Sequence, residues 1–110
     1  MSGVRALVFR VAIDGPSMLP TLSAGEWWLA RRSARITAGD LVVFDHPSIP
    51  DLIAVKRAIR REVGGWWVEG DNPLMSTDSR HFGIVSDDRV RGTLWVRYRP
   101  APWRSRKGRD

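Results

Sequence analysis

The chain of 110 residues contains no cysteine. Disulfides, thiolate catalysis and cysteine-held metals are thereby excluded. The lack fits a reducing compartment, and a cytoplasmic location is the expectation. Histidine is almost as scarce: His46 and His81 stand alone, with no metal-ligand spacing around either. A zinc site is not expected, and no cofactor is implied. Lysine is rare too, since all but two of the 18 basic residues are arginine, leaving Lys56 and Lys107. Long apolar runs are missing. None approaches the ~20 residues needed to span a bilayer, and Arg5 and Arg10 interrupt the opening Val4–Ile13. No signal-peptide cleavage pattern follows it. The expectation is a chain without a transmembrane segment, with peripheral membrane contact left open.

The residues that are present describe one folded domain. A composition of 43% hydrophobic and 27% charged residues is that of a globular protein, and this length supports a single modest core. The net charge of +6 is concentrated at one end, because Arg97 to Asp110 carries six basic residues against one acidic. That pattern reads as a solvated extension, with an anionic partner as the alternative. We place the domain at residues 1–99 and a basic tail at 100–110.

Apolar segments are short, rich in Val, Ile, Leu and Trp, and divided by Gly, Pro and Asp. The spacing predicts strands over Val4–Ile13, Trp27–Arg31, Asp40–Asp45, Leu52–Glu62, Trp66–Glu69 and Arg91–Tyr98. Gly64-Gly65 reads as a hairpin turn, and Met18–Leu22 as a single helical turn. The fold class expected is mainly β: one antiparallel sheet or barrel-like domain with at most short helical turns. Trp27-Trp28 and Trp66-Trp67 are adjacent on strands, so each pair sends its rings to opposite faces. One ring of each should enter the core, leaving the other for the surface or a groove.

Three segments could carry chemistry. In Gly15-Pro16-Ser17-Met18-Leu19-Pro20-Thr21 a hydroxyl stands at a bend whose free N–H groups can bind an oxyanion, although serine is also an ordinary turn former. In Ile53-Ala54-Val55-Lys56-Arg57-Ala58-Ile59 a strand reading puts Lys56 on one face with Leu52, Ala54 and Ala58. Small apolar neighbours withhold water from the amine and lower its pKa, making it a base near neutrality. An edge lysine reaching solvent is the bland alternative. The third segment, Glu69 to Arg80, is dense in turn formers and ends in hydroxyl, carboxylate and guanidinium groups. Asp78 and Arg80 could pair there in a charge-assisted bond, or the segment could be a polar surface loop.

Taken together, these stretches resemble the signal peptidase I family of Ser–Lys endopeptidases. The resemblance runs through Gly15 to Leu22, Gly39-Asp40-Leu41-Val42-Val43-Phe44, Val55-Lys56-Arg57, Gly70-Asp71-Asn72 with Ser76, and Asp78 to Gly83. It implies Ser17 as nucleophile and Lys56 as general base, with the Ser17 N–H as oxyanion donor. It further implies that Ser76 orients the lysine amine and that Asp78 and Arg80 form a supporting ion pair. The fold implied is that family's mostly antiparallel β catalytic core. A Ser-His-Asp reading built on His81 is not favoured, because Lys56 already supplies the base.

Two departures from the family pattern stand out. Some bacterial members carry a hydroxyl residue two positions before the nucleophile, where this chain has Gly15. The long insertion between the lysine and the Gly70-Asp71-Asn72 stretch is absent, and the family's N-terminal anchor is not expected either. Short relatives of this shape look like nickel-type superoxide dismutase maturation proteases, which implies a dismutase precursor as substrate, with the metal belonging to that substrate. The alternatives are an anchor-less signal peptidase, a β-barrel binding nucleic acid through its basic tail, and a self-cleaving repressor-type domain with the same dyad. No nucleic acid is expected, since that reading leaves Ser17, Lys56 and Ser76 unexplained. No internal scissile segment or DNA-reading helix supports the last.

Overall fold

The computed structural model describes residues 7–32 and 35–100. Seven strands form in chain order: β1 (Val8–Ala12), β2 (Trp27–Arg31), β3 (Leu41–Asp45), β4 (Ile53–Glu62), β5 (Gly65–Glu69), β6 (Val85–Ser86) and β7 (Val90–Arg99). One four-residue helix, α1 (Ser79–Phe82), and two 3-10 turns complete the described residues. The fold is mainly β, as the alternation of short apolar segments predicts.

All strands join one antiparallel sheet in the order β1-β2-β7-β3-β4-β5-β6. The last strand is therefore central. It pairs Leu94 with Ala30 on one side and Thr93 with Val42 on the other, joining the β1-β2 hairpin to the β3–β6 meander. The sheet stays open, with β1 and β6 as its edges.

Strand β3 shows why this sequence needs two covered faces. Its run Val42-Val43-Phe44 is fully buried without alternation. Successive side chains of a strand point to opposite faces. Val43 accordingly joins one cluster with Val11, Ile13, Met18, Leu22 and Ala30. Val42 and Phe44 join another with Ala58, Trp66, Val68 and Val85. The tryptophan pairs divide as expected. Trp28 packs against the first cluster and Trp66 is buried in the second. Trp27 lies against Tyr98, and Trp67 carries the Arg60 guanidinium 4.5 Å from its ring centre.

The strand limits differ from expectation mainly at their ends, and the first three positions of the expected Val4–Ile13 strand lie outside the described residues. The hairpin turn is Val63-Gly64, not Gly64-Gly65: Glu62 pairs with Gly65, and Gly64 takes φ +84°. Gly65 is glycine for another reason, since a Cβ there would stand 2.1 Å from the Val85 carbonyl oxygen. The helical turn expected over Met18–Leu22 is a single α-type turn, closed by Leu22 N–H to the Met18 carbonyl at 2.9 Å. Pro20, lacking an N–H, cannot extend it. The expected tail lies almost wholly outside the described residues, which end at Pro100. No described helix is long and apolar enough to cross a membrane.

Candidate active site

The serine turn hangs from the core by two anchors. After β1, Ile13 is buried, and Gly15 reverses the chain at φ +84°. Met18 and Leu22 then re-enter the first cluster. Ser17, between these anchors, is left half-buried and lines a cleft of about 660 Å³. Its N–H makes no hydrogen bond among the described residues, so the turn offers a free donor beside the hydroxyl.

Lys56 arrives from β4. It sits opposite Val42 in register, between Ala54 and Ala58, whose small side chains leave room for its stem. The residue is only 7% exposed. Its Nζ donates to Ser17 Oγ at 2.7 Å, joining positions 39 residues apart. Burial pushes the lysine pKa below its ordinary value, while the Asp78 carboxylate pulls in the other direction. The net lowering shifts the balance toward the neutral amine relative to an exposed lysine.

Asp78 is completely buried. Burial would raise its pKa, but donors surround it, and its carboxyl is held well below the usual carboxylate range. Arg80 approaches with Nη2 at 2.6 Å and Nε at 2.9 Å, the Gly70 N–H at 2.8 Å, and Ser76 Oγ at 2.7 Å. Asp78 also caps α1, accepting from the Arg80 N–H, while His81 Nδ1 accepts from the Asp78 N–H. His81 is thus a capping residue. The expected Asp78–Arg80 pair is present. No hydrogen bond joins Ser76 to the lysine amine; the Ser76 hydroxyl donates to Asp78 instead, and the lysine amine donates to Ser17.

A second set of contacts, which the sequence reading did not single out, ties the serine turn to the loop after β5. The Asn72 N–H donates to the Ser17 carbonyl at 2.9 Å, and Asn72 Nδ2 to the Pro16 carbonyl at 3.0 Å. Asp71 accepts from Thr21 Oγ1 at 2.6 Å and from Arg57 through two nitrogens at 2.9 and 2.7 Å. Arg57 also donates to the Gly39 carbonyl. Gly70 permits this closeness, for a Cβ there would lie 2.2 Å from Ser76 Oγ and 2.7 Å from the Ser17 carbonyl oxygen. The signal available in sequence was the turn-rich Gly70-Asp71-Asn72 beside a strand arginine. Nothing in it specified which loop it would meet.

Among the described residues no group of His, Asp and Glu is arranged to hold a metal ion. The cleft is walled by β1 and by the first residues of β4, and none of the described tryptophans lines it. Two backbone edges face this region. Among the described residues β1 has no partner on its outer side, and β4 has a partner in β5 only from Arg57 onward, leaving Ile53–Lys56 paired on one side alone.

A small antiparallel β domain with a serine hydroxyl against a buried lysine amine in such a cleft has the layout of a processing peptidase. Residues 4–90 match the family described as Peptidase S24-like, and the chain belongs to that family. It is 32% identical to the mitochondrial ATP-independent inner membrane protease subunit 1a of Arabidopsis thaliana, over 87% of this chain and 73% of that protein. It is 31% identical to the mitochondrial inner membrane protease subunit 1 of Mus musculus, over 82% and 69% respectively. A similar protein from Schizosaccharomyces pombe, also named mitochondrial inner membrane protease subunit 1, is 30% identical over 93% of this chain and 82% of its own. Peptidase activity of the signal-peptidase kind is what this membership supports.

Proposed function

We propose that the protein is a serine endopeptidase with Ser17 as nucleophile and Lys56 as general base, removing an N-terminal extension from a precursor protein. The 2.7 Å contact between Lys56 Nζ and Ser17 Oγ is the observation that carries this reading. Neutral Lys56 takes the hydroxyl proton as Ser17 Oγ bonds to the scissile carbonyl carbon, and the carbonyl oxygen becomes an oxyanion beside the Ser17 N–H. As the C–N bond breaks, the lysine ammonium passes its proton to the leaving amine. Water, deprotonated by the same amine, attacks the acyl-enzyme and releases Ser17. Asp78, Arg80 and Ser76 touch no reacting atom in this scheme. They fix the loop that holds the serine turn and set the charge facing Lys56.

The substrate segment enters extended. The unpaired edges of β1 and of Ile53–Lys56 offer backbone donors and acceptors on both sides of the cleft, which suits a strand laid between them. For the precursor itself we propose nickel-type superoxide dismutase, with cleavage in the cytoplasm. That choice rests on the sequence resemblance alone. The names of the relatives favour a second reading, processing of exported or membrane-bound precursors.

Incubation with a nickel superoxide dismutase precursor and, in parallel, a signal-peptide substrate tests both, with intact mass as readout. Trimming of the dismutase precursor by wild type, and by neither Ser17→Ala nor Lys56→Arg, supports the full proposal. Cleavage of the signal-peptide substrate alone retains the dyad and replaces the substrate. Undiminished cleavage by either variant removes the mechanism. Recovery in the membrane pellet after a low-salt wash would overturn the cytoplasmic assignment.

A further inference from the structure

His46 is a titratable group of the cleft that the proposed mechanism leaves unused. It stands one position past β3 on the face of Val42 and Phe44, and its ring and that of Phe44 both pack on Phe82, at 5.1 and 6.3 Å between centres. The residue is 9% exposed and lines the cleft together with Lys56. Its Nδ1 accepts the N–H groups of Ser48 and Ile49, each at 3.0 Å. A ring nitrogen that accepts carries no proton, so the proton of neutral His46 sits on Nε2. Burial first, and then the Lys56 and Arg89 charges, lower its pKa, which favours that neutral ring. The two bonds to Nδ1 also tie the ring to the turn between β3 and β4, so the Nε2–H has a fixed orientation.

That N–H makes no hydrogen bond among the described residues. Their one buried side-chain polar atom without a partner is Arg97 Nε. His46 Nε2 is therefore reached by solvent although the residue around it is buried, and the cleft is the opening that His46 lines. Water satisfies such a donor until a ligand brings an acceptor. Four strand positions separate His46 from the Val42–Lys56 register pair, roughly 13 Å between backbones. The Lys56 side chain spans part of that distance, since its charge acts on the imidazole.

We infer that the His46 Nε2–H is a specificity donor for the side-chain oxygen of an uncharged polar substrate residue, Asn, Gln, Ser or Thr, about two to four positions from the scissile bond. The inference rests on the peptidase reading for that bond and on the fixed tautomer for its chemistry. The residues that follow His46 in the lining, Ile49, Leu52, Ile53 and Ala54, are apolar, so this donor is the polar feature of its stretch of wall. An apolar side chain set against Nε2 would displace the water and leave the N–H unpaired, and that loss supplies the discrimination. A carboxylate could accept the same bond, but it would also stabilise the Lys56 ammonium, the form that cannot act as base.

Direct binding separates this contact from catalysis. Ser17→Ala is titrated with fluorescent extended peptides in which a single Gln is moved through successive positions, with Met, of similar shape, in its place as control. The expected result is one position at which Gln binds about threefold to tenfold tighter than Met. Two substitutions in the Ser17→Ala background divide the ring's roles. His46→Asn puts an oxygen where Nδ1 accepts and removes the distal donor, so the Gln advantage should vanish with the melting temperature little changed. His46→Gln keeps a donor near Nε2 and loses the acceptor, so part of the advantage should remain while the melting temperature falls. Nitrogen NMR of the His46 imidazole needs no substitution at that residue: the Nε2 signal should move with the Gln peptide and not with the Met peptide. A flat position scan would overturn the inference, as would a Gln advantage undiminished in His46→Asn or an Nε2 signal blind to the Gln peptide. If the advantage appears while wild type cleaves neither the peptides nor a precursor, the peptidase reading fails and the contact stands. If wild type cleaves while the scan is flat, the contact fails and the peptidase reading stands.

Discussion

A lysine on a strand, inside a protein that otherwise uses arginine, separates two demands that usually travel together. Arginine keeps its charge in every folded environment, whereas lysine can lose it when desolvated. Lys56 is held at 7% exposure with a depressed pKa, so its ammonium form costs the fold stability. A lysine pKa lowered in the folded state destabilises most below that folded value, and the penalty fades as pH rises toward the unfolded value. Lys56→Met should therefore raise stability near neutral pH, on the order of 1 kcal/mol, while abolishing turnover. Thermal denaturation beside a cleavage assay checks both halves. In the proposed mechanism the same residue should set the acidic limb of the pH–rate profile, with kcat/KM expected to rise as Lys56 loses its proton. Asp78 raises the Lys56 pKa against the larger effect of burial. Asp78→Asn should therefore move that limb to lower pH in whatever fraction folds. An unmoved limb would mean that a different group is the base. At this scale residue type and neighbours marked Ser17 and Lys56 only as candidates, with a turn serine and a solvent-facing lysine as the alternatives, and the family resemblance is what paired them. The actual partner of Ser76 was not readable, because donors from three residues converge on Asp78 only after the chain is folded.

The elements carry the site through two close approaches of backbone. Gly70 follows β5 and touches both Ser76 and the Ser17 carbonyl, so Gly70→Ala must push the serine turn and the Asp78 loop apart. The expected cost is about 3 kcal/mol in stability, with a drop in kcat larger than any change in KM. Chemical denaturation and steady-state kinetics on one preparation measure both. Gly65→Ala is the control of similar steric severity at a distance from the chemistry. Its Cβ would meet the Val85 carbonyl, so it should loosen β6 and lower the melting temperature. In the fraction that stays folded, kcat should be near that of wild type. Strand positions were largely evident from apolar runs bounded by Gly, Pro and Asp. Short elements were not. β6 has two residues and α1 four, too few to show a period, and each is held by partners distant in the chain.

The whole molecule is an open sheet whose last strand is its centre, so its stability depends on contacts that close only when the C-terminal part of the domain docks. Several carboxylates contribute through ion pairs: Asp78 with Arg80, Asp71 with Arg57, and Asp87 with Arg61. Their pKa values are lowered in the folded state. The sign follows: this stabilisation is fully present above the ordinary carboxylate range and is lost as pH falls through and below it. The melting temperature should stay level down to about pH 5 and then fall steeply. In Asp78→Asn, stability should start lower and decline less on acidification. The sequence by itself determined a β domain with a serine at a bend and a lysine among small apolar residues, because alternation, turn chemistry and residue type are local properties. It also determined that no thiol takes part. Tertiary structure alone decided that these two groups meet at 2.7 Å across 39 residues and that Asp71 and Asn72 clamp the serine turn. Strand order sets those distances, and strand order depends on how the strands bury one another's faces, which no single segment encodes.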